Sequence, residues 1–349
     1  MVDERGDVAV VMPAANAAET IAQALRQALA QRLPPREIIV VDDGSTDATA
    51  ACVCEMMAHE PRIRLIRQAR RGPSHARNVA IAQTSAAFIA PLDADDAWHP
   101  DYLSECVAAL IAQPGAGMAY AWHHLIDAQG RTLRGPMRFD VAGGGFGPML
   151  LTNYVGNGSS AVYRRKALQA CGAYVPPLAH WHGAEDYLLQ LRVAARSRVA
   201  CVERDLVAYR KGPDTLSTDH RLAHEARLAA VRTALAEFGP ACLPVERWAH
   251  GDACRTLAVQ HLGEGAWGSA VAMACRALVL DPPAMALDVA LRLRNLIARR
   301  RGREDGGDRP LDALLRARLR RLSRRMPFAA PPVQARPAHP SQRPSACPP

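Results

Sequence analysis

The chain has 349 residues, 49% of them apolar and 5% aromatic, enough for one large α/β domain plus a smaller one with a mostly aliphatic core. Nine cysteines, odd in number and without a repeating spacing, argue against a disulfide framework and for reduced thiols; Cys52 and Cys54 stand too close together for zinc-finger ligands. The net charge of +9 does not describe the whole body: from Ala290 onward 15 arginines face four acids, a net +11, which leaves −2 for the 289 residues before it.

Residues 8–12 form a short β-rich run ending at Pro13, the pattern of a buried strand. Over 19–33 the apolar residues Ile21, Leu25, Ala28 and Leu29 recur at helical spacing, with Pro34 and Pro35 as the stop. Residues 37–41 are a second buried run that ends in Asp42-Asp43-Gly44-Ser45-Thr46-Asp47, where Thr46 or Asp47 caps a helix over 48–58. A strand at 63–66, a helix at 74–83 and a strand at 87–91 follow, the last running into Asp93-Ala94-Asp95-Asp96. Strands alternating with helices at this spacing predict βαβ units and a mainly parallel sheet, in which ligands bind beyond the carboxyl ends of the strands. Two of those ends carry acids.

Beyond about residue 221 the pattern turns to Ala/Leu/Arg-rich helices. Residues 253–282 read as a helical hairpin broken near 263–265, a single tetratricopeptide-like unit and so too few for a solenoid. A linker at 302–308 leads to Pro310 and a short basic helix carrying Leu311, Leu314, Leu315, Leu319 and Leu322. The Pro-rich end is expected to be disordered.

Carboxylates repel a diphosphate unless a divalent cation lies between them. Mg2+ or Mn2+ takes one or two protein carboxylates and fills its shell with phosphate oxygens and water. Asp93, Asp95 and Asp96 offer that arrangement, with Asp95 as metal ligand; in isolation the same pattern equally describes a solvated acidic turn. Asp42-Asp43-Gly44-Ser45 is by itself a β-turn with a helix cap, or else Asp43 accepts the N3–H of a uracil-type base. Arg77, in Gly72-Pro73-Ser74-His75-Ala76-Arg77-Asn78, either approaches that base or is a solvated first-turn charge.

Order and spacing narrow these alternatives. Val10-Val11-Met12-Pro13-Ala14-Ala15-Asn16, then VVDDGSTDAT, GPSHARNVAIA and FIAPLDADDAW, closely resemble the family 2 glycosyltransferases, inverting enzymes of GT-A fold, over about residues 7–217. The resemblance implies an α/β domain at 1–220 with a mainly parallel, mixed sheet flanked by helices. An all-α region at 221–326 and a tail at 327–349 would follow. It implies nucleotide-sugar contacts from Pro13, Asn16, Asp43, Arg77, Asp93 and Ala94, with Asp43 and Arg77 at the base and Asp93 near the ribose and phosphates. Asp95 would hold Mn2+ or Mg2+. Asn157-Gly158-Ser159-Ser160-Ala161-Val162-Tyr163-Arg164-Arg165 is similar to the family's acceptor-side strand, which a helix and Gly172 follow. Gly183-Ala184-Glu185-Asp186-Tyr187-Leu188 is similar to its Glu-Asp motif, which implies Asp186 as the catalytic base, with Glu185 and Trp181 at the acceptor or sugar pocket. One carboxylate then deprotonates the acceptor hydroxyl while the metal stabilises the departing diphosphate. Arg192, about two helical turns further on, either faces the phosphates or pairs with Glu185 or Asp186. His180 and His182 are by themselves too few for a metal site.

Two positions depart from the family pattern. Ala15 stands where an aromatic residue usually stacks on the base, a contact worth roughly 1–3 kcal/mol. In Tyr209-Arg210-Lys211-Gly212-Pro213-Asp214-Thr215-Leu216-Ser217, Gly212 replaces a histidine, and Lys211 is the residue able to supply positive charge instead. These departures keep open a catalytically inactive nucleotide- or glycan-binding homologue. A sugar nucleotidyltransferase would want a Gly-rich, basic loop after the first strand, and 13–20 has neither feature. The first residues lack the form of a secretory signal and no stretch approaches about 18–20 apolar residues, so a cytoplasmic enzyme of polysaccharide biosynthesis is expected. The arginines at 299–301 and 316–325 alternate with leucines, as on a solvated helix or one peripheral to an anionic membrane surface; nucleic acid is not an expected partner.

Overall fold

Continuous aliphatic runs build the first half of the sheet. β1 (Val8–Ala14), β2 (Glu37–Asp43), β3 (Ile63–Gln68) and β4 (Phe88–Pro91) alternate with α1 (Ile21–Leu29), α2 (Thr49–Met57) and α3 (Pro73–Ala82). Strands covered by helices on both faces need apolar side chains at every position. Val8, Val10, Met12, Ile38 and Val40 accordingly enter one core, and Ala9, Val11, Ile39 and Val41 the core on the opposite face. The computed structural model describes residues 6–137, 145–175, 183–212, 220–238, 243–286 and 317–318.

The second half adds β5 (Ala97–Trp98), α4 (Tyr102–Ala112), β6 (Ala116–Ile126), β7 (Thr132–Met137), α5 (Phe146–Leu151), β8 (Ala161–Arg164), α6 (Arg165–Ala170), α7 (Glu185–Arg196) and β9 (Arg198–Arg210). The sheet runs β3-β2-β1-β4-β8-β6-β9-β5, with β7 paired to β6. Pairs β1–β2, β2–β3, β1–β4 and β6–β9 are parallel, whereas β8 lies antiparallel between β4 and β6. β5–β9 and β6–β7 are antiparallel too, so the sheet is mixed, with its β1–β4 half parallel as the alternation of elements predicts.

Local differences have local causes. α1 is shorter than the apolar spacing suggests, because its chain turns at Ala30 and Gln31 then bonds Gln27 O and His99 O through its amide. Ala48, not Thr46 or Asp47, holds the cap position of α2, and the Asp47 carboxylate receives Thr49 N at 3.0 Å and Ala18 N at 3.1 Å.

After β9 the described chain is helical: α8 (His220–Phe238), α9 (Leu243–Gly263) and α10 (Trp267–Leu280), the last two forming the expected hairpin, with Gly265 at φ +75° in its turn. α8 is continuous with the sheet's core. Ala230, Val231 and Ala234 join the cluster that holds Ile39 and Tyr163, and Phe238 meets Phe146 edge to face at 5.4 Å. Of the basic C-terminal segment, the described Arg318 pairs with the buried Asp281 at 2.5 and 2.6 Å and lies 4.4 Å above the Trp248 ring. That arginine faces protein rather than solvent or lipid. The rest of the basic helix, the linker and the tail fall outside the described residues.

Candidate active site

Residues at the carboxyl ends of β1 and β2 hold each other through backbone donors. Pro13 and Ala14 pair with Val41 and Asp42 in parallel register. Asn16 sits at φ +52°, a left-handed conformation that asparagine tolerates, and receives Thr46 N on its side-chain oxygen at 2.9 Å. Its own N–H reaches Ser45 Oγ at 3.0 Å. Asp43, 4% exposed, accepts Gln68 Nε2 at 2.7 Å, Arg71 N at 2.8 Å and Gly72 N at 2.7 Å. This carboxylate thus anchors the loop that starts α3. Gly44 must be glycine twice over: its φ is +71°, and a Cβ would lie 2.9 Å from Arg70 N. Ala15 is exposed beside these loops.

The acidic end of β4 divides its three carboxylates among different partners. Asp93, half-buried, receives Arg77 NH2 at 2.5 Å, and its backbone N–H donates to Ser159 Oγ at 3.0 Å. Asp96, 2% exposed, receives Asn157 Nδ2 at 2.8 Å and Arg210 N at 2.9 Å. Burial, then the charges of Asp95 and Asp93, push its carboxyl well above the usual range. Ala94 is buried and carries only a methyl group. Asp95 is half-buried, and burial followed by the charge of Asp93 raises it to about 6.

No three His, Cys, Asp or Glu side chains among the described residues form a ready-made metal cage. A divalent cation still fits. Arg77 occupies Asp93 and Asn157 occupies Asp96, whereas no side chain among the described residues bonds the Asp95 carboxylate. One such carboxylate suits an ion that takes the rest of its shell from phosphate and water.

α7 brings the other acidic pair to this edge. Gly183 at φ +126° and Ala184 at φ +58° turn the chain into the helix, a strained entry for alanine that sets the direction of Glu185 and Asp186. Glu185, 5% exposed, accepts Arg77 NH1 at 2.7 Å. Asp186 is half-buried and takes Tyr187 N at 2.6 Å. Burial, then the adjacent Glu185 charge, raise its carboxyl to about 7. Gly158 backs both groups, since a Cβ there would sit 3.4 Å from Arg77 NH2 and 3.8 Å from Asp186 Cβ. At the end of β9, Lys211 donates to Tyr209 OH at 2.9 Å. Burial lowers its pKa while Asp96, Asp186 and Asp95 oppose that shift, which puts one ammonium in the field of both acidic motifs.

Residues 9–172 match the family described as Glycosyl transferase family 2. Over these residues, just under half of the chain, the likeness is to family 2 glycosyltransferases. Succinoglycan biosynthesis protein ExoO of Rhizobium meliloti (strain 1021) is 41% identical to it over 134 residues, 38% of this chain and 38% of that protein. Chondroitin synthase of Escherichia coli is 31% identical over 126 residues, 36% of this chain and 18% of that one. The UDP-Glc:alpha-D-GlcNAc-diphosphoundecaprenol beta-1,3-glucosyltransferase WfgD of Escherichia coli is 34% identical over 105 residues, 30% and 41% of the two chains. The aligned part thus spans well under half the length of these relatives. Among solved structures, the mannosyltransferase PcManGT from Pyrobaculum calidifontis in complex with GDP-Man and Mn2+ superposes with a TM-score of 0.56 at 19% identity, over 91% of this chain and 86% of that one. S. aureus TarS 1-349 in complex with UDP-GlcNAc gives 0.51 at 17%, over 86% and 93%. These neighbours support the fold, which is the GT-A type.

Within the site, Arg77 joins Asp93 to Glu185, and both of its terminal nitrogens face carboxylates. Arg192 meets neither expected partner: seven residues from Glu185 is about 10 Å along the helix axis, and it pairs instead with Glu237 of α8 at 2.5 Å. His180, Trp181, His182 and residues 213–217 lie outside the described residues. Sequence reasoning missed Arg210, which ties the acidic loop to the β6–β7 turn through Asp95 O, Asp127 O and Ala128 O. It also missed Asn157 as the partner of Asp96. Both stand in segments that resemble the family, but those segments do not name Asp95 or Asp96 as their partners.

Proposed function

We propose that this chain is an inverting glycosyltransferase. It moves a sugar from a nucleoside-diphosphate donor, UDP-linked by preference, to a hydroxyl of a cell-envelope or exported glycan. The observation that carries this reading is the junction of the two acidic motifs: Arg77 bonds Asp93 and Glu185 at once, and Lys211 lies in the field of Asp95, Asp96 and Asp186. The family likeness supports sugar transfer, the relatives' names support glycan synthesis, and the name of WfgD supports a UDP donor.

In this reading Asp43 and the Pro13–Asn16 turn border the nucleotide, and Asp93 with Ala94 faces the ribose and phosphates. Asp95 would hold Mn2+ or Mg2+, which would offset the negative charge of the leaving diphosphate. Asp186 accepts the proton of the acceptor hydroxyl, and the oxygen attacks the anomeric carbon on the side opposite the leaving group, which inverts it. A carboxyl raised to about 7 is a competent base at neutral pH because about half of it is ionised there and it holds a proton well. Glu185 borders the acceptor or sugar. The net +11 from Ala290 onward supports contact with an anionic membrane surface from the cytoplasmic side, and no helix among the described residues is long and apolar enough to cross a membrane.

The test is a panel of UDP-, GDP- and dTDP-sugars with and without Mn2+. Metal-dependent release of free nucleoside diphosphate, with an anomerically inverted product by NMR, is expected. Nucleotide binding without turnover on any donor and acceptor would instead identify an inactive homologue, the reading that Ala15 and Gly212 favour.

A further inference from the structure

Arg77 belongs to α3, a helix whose other inward residues, Ala76, Ala80 and Ile81, are plain core. Its guanidinium is 4% exposed and meets charges from two separate parts of the chain: Asp93 on the loop after β4 at 2.5 Å and Glu185 at the start of α7 at 2.7 Å. The Tyr174 ring lies 5.2 Å beneath it. Nε is buried with no hydrogen-bond partner among the described residues, so the two carboxylates and the ring fix the group's place. A buried cation with two carboxylates on different elements fastens those elements together, and removing it leaves both acids uncompensated.

We propose that Arg77 is a positioning residue, a clamp that locks the strand-end acids to the Glu-Asp pair and so holds Asp186 towards the acceptor. The inference rests on the proposed role of Asp186 but concerns a different atom set, since Arg77 acts through Glu185 and Asp93. The charged and titratable groups facing Asp186 are Glu185, Arg77, Asp93, Lys211, Tyr163 and Tyr174. Among them Arg77 and Glu185 pull in opposite directions: the guanidinium favours the ionised carboxylate and the neighbouring acid disfavours it.

A purely structural Arg77 would not reproduce that opposition. In the unligated protein, the Asp186 carboxyl is followed by carbon-13 NMR titration with Asp186→Asn as the assignment control, so that no turnover is needed. Arg77→Gln, which keeps hydrogen-bonding capacity and loses the charge, is expected to raise the Asp186 midpoint by about one pH unit. Glu185→Gln is expected to lower it by a similar amount, and the double variant to return close to wild type. Arg77→Lys, which restores charge without the fork, should fall between Arg77→Gln and wild type. In the transfer assay the acid limb of kcat/KM should follow the same order. A midpoint in Arg77→Gln equal to wild type, or Glu185→Gln moving upward, would overturn the clamp. Should Arg77→Gln not fold, Glu185→Gln and Arg77→Lys decide by the same criteria. Opposed NMR shifts in a protein that turns over no donor would sink the proposed function and leave the clamp standing.

Discussion

On the β1–β2 side of the sheet edge, Asp43, Asp47 and Asn16 receive their hydrogen bonds largely from backbone N–H groups of neighbouring loops. Across the edge, Asp93, Arg77, Glu185 and Asp96 meet mainly other side chains, several of them charged and buried. Backbone donors are fixed by the fold and keep no alternative arrangement. Side-chain charges in a half-dry pocket hold one another in place, and their state changes with pH and with any charged ligand. The first side is built for holding a constant shape, the second for chemistry.

The sharpest way to break this contrast is at Asp186. Asp186→Asn should reduce transfer by about 10³-fold while UDP affinity, by calorimetry with Mn2+, stays nearly unchanged; undiminished turnover would remove the residue from its role. Asp95→Ala should weaken UDP binding in the presence of Mn2+ by more than about tenfold, and equal affinity would refute its assignment. Gly156→Ala should lower stability by about 2 kcal/mol or more, read from denaturant unfolding. Its φ is +99°, and the new Cβ would stand 2.0 Å from Cε1 of the buried His123. Asp43→Asn should have a smaller effect, about 1 kcal/mol, because one backbone donor then meets an NH2 group.

The finest test concerns pH. Asp186 is raised from 3.8 to about 7 on folding, so its ionisation opposes the fold. Its favourable contribution is complete below 3.8 and is lost as pH rises through 7, whereas the activity that needs the ionised base rises over the same upper range. Asp186→Asn should therefore melt with wild type at low pH and at a higher temperature than wild type above pH 7. Curves that coincide throughout would show that no such opposition exists.

The contrast also explains what the sequence disclosed. β1 to β4 were legible because their runs are unbroken and end in recognisable turns, and Asp43, Asp95 and Asp186 stand in short motifs whose residues are neighbours in the chain. The antiparallel insertion of β8 between β4 and β6 was not, since strand order depends on contacts across the fold. Arg210 and Asn157 reach Asp96 over 114 and 61 positions, and the motifs that contain them do not say which acid they meet. The pairing of Arg192 with Glu237 was hidden for the same reason: α8 supplies the partner, and its packing on α7 has no local signature.

One consequence follows from Asp281, which is 4% exposed and draws its counter-charge from Arg318, 37 positions later. Shortened versions of the chain that stop after α10 would remove both the counter-charge of this acid and the guanidinium that covers Trp248. Truncation mapping of the basic end would then report a loss of stability that has nothing to do with catalysis or lipid, and Asp281→Asn, which removes the unpaired charge, would recover part of it.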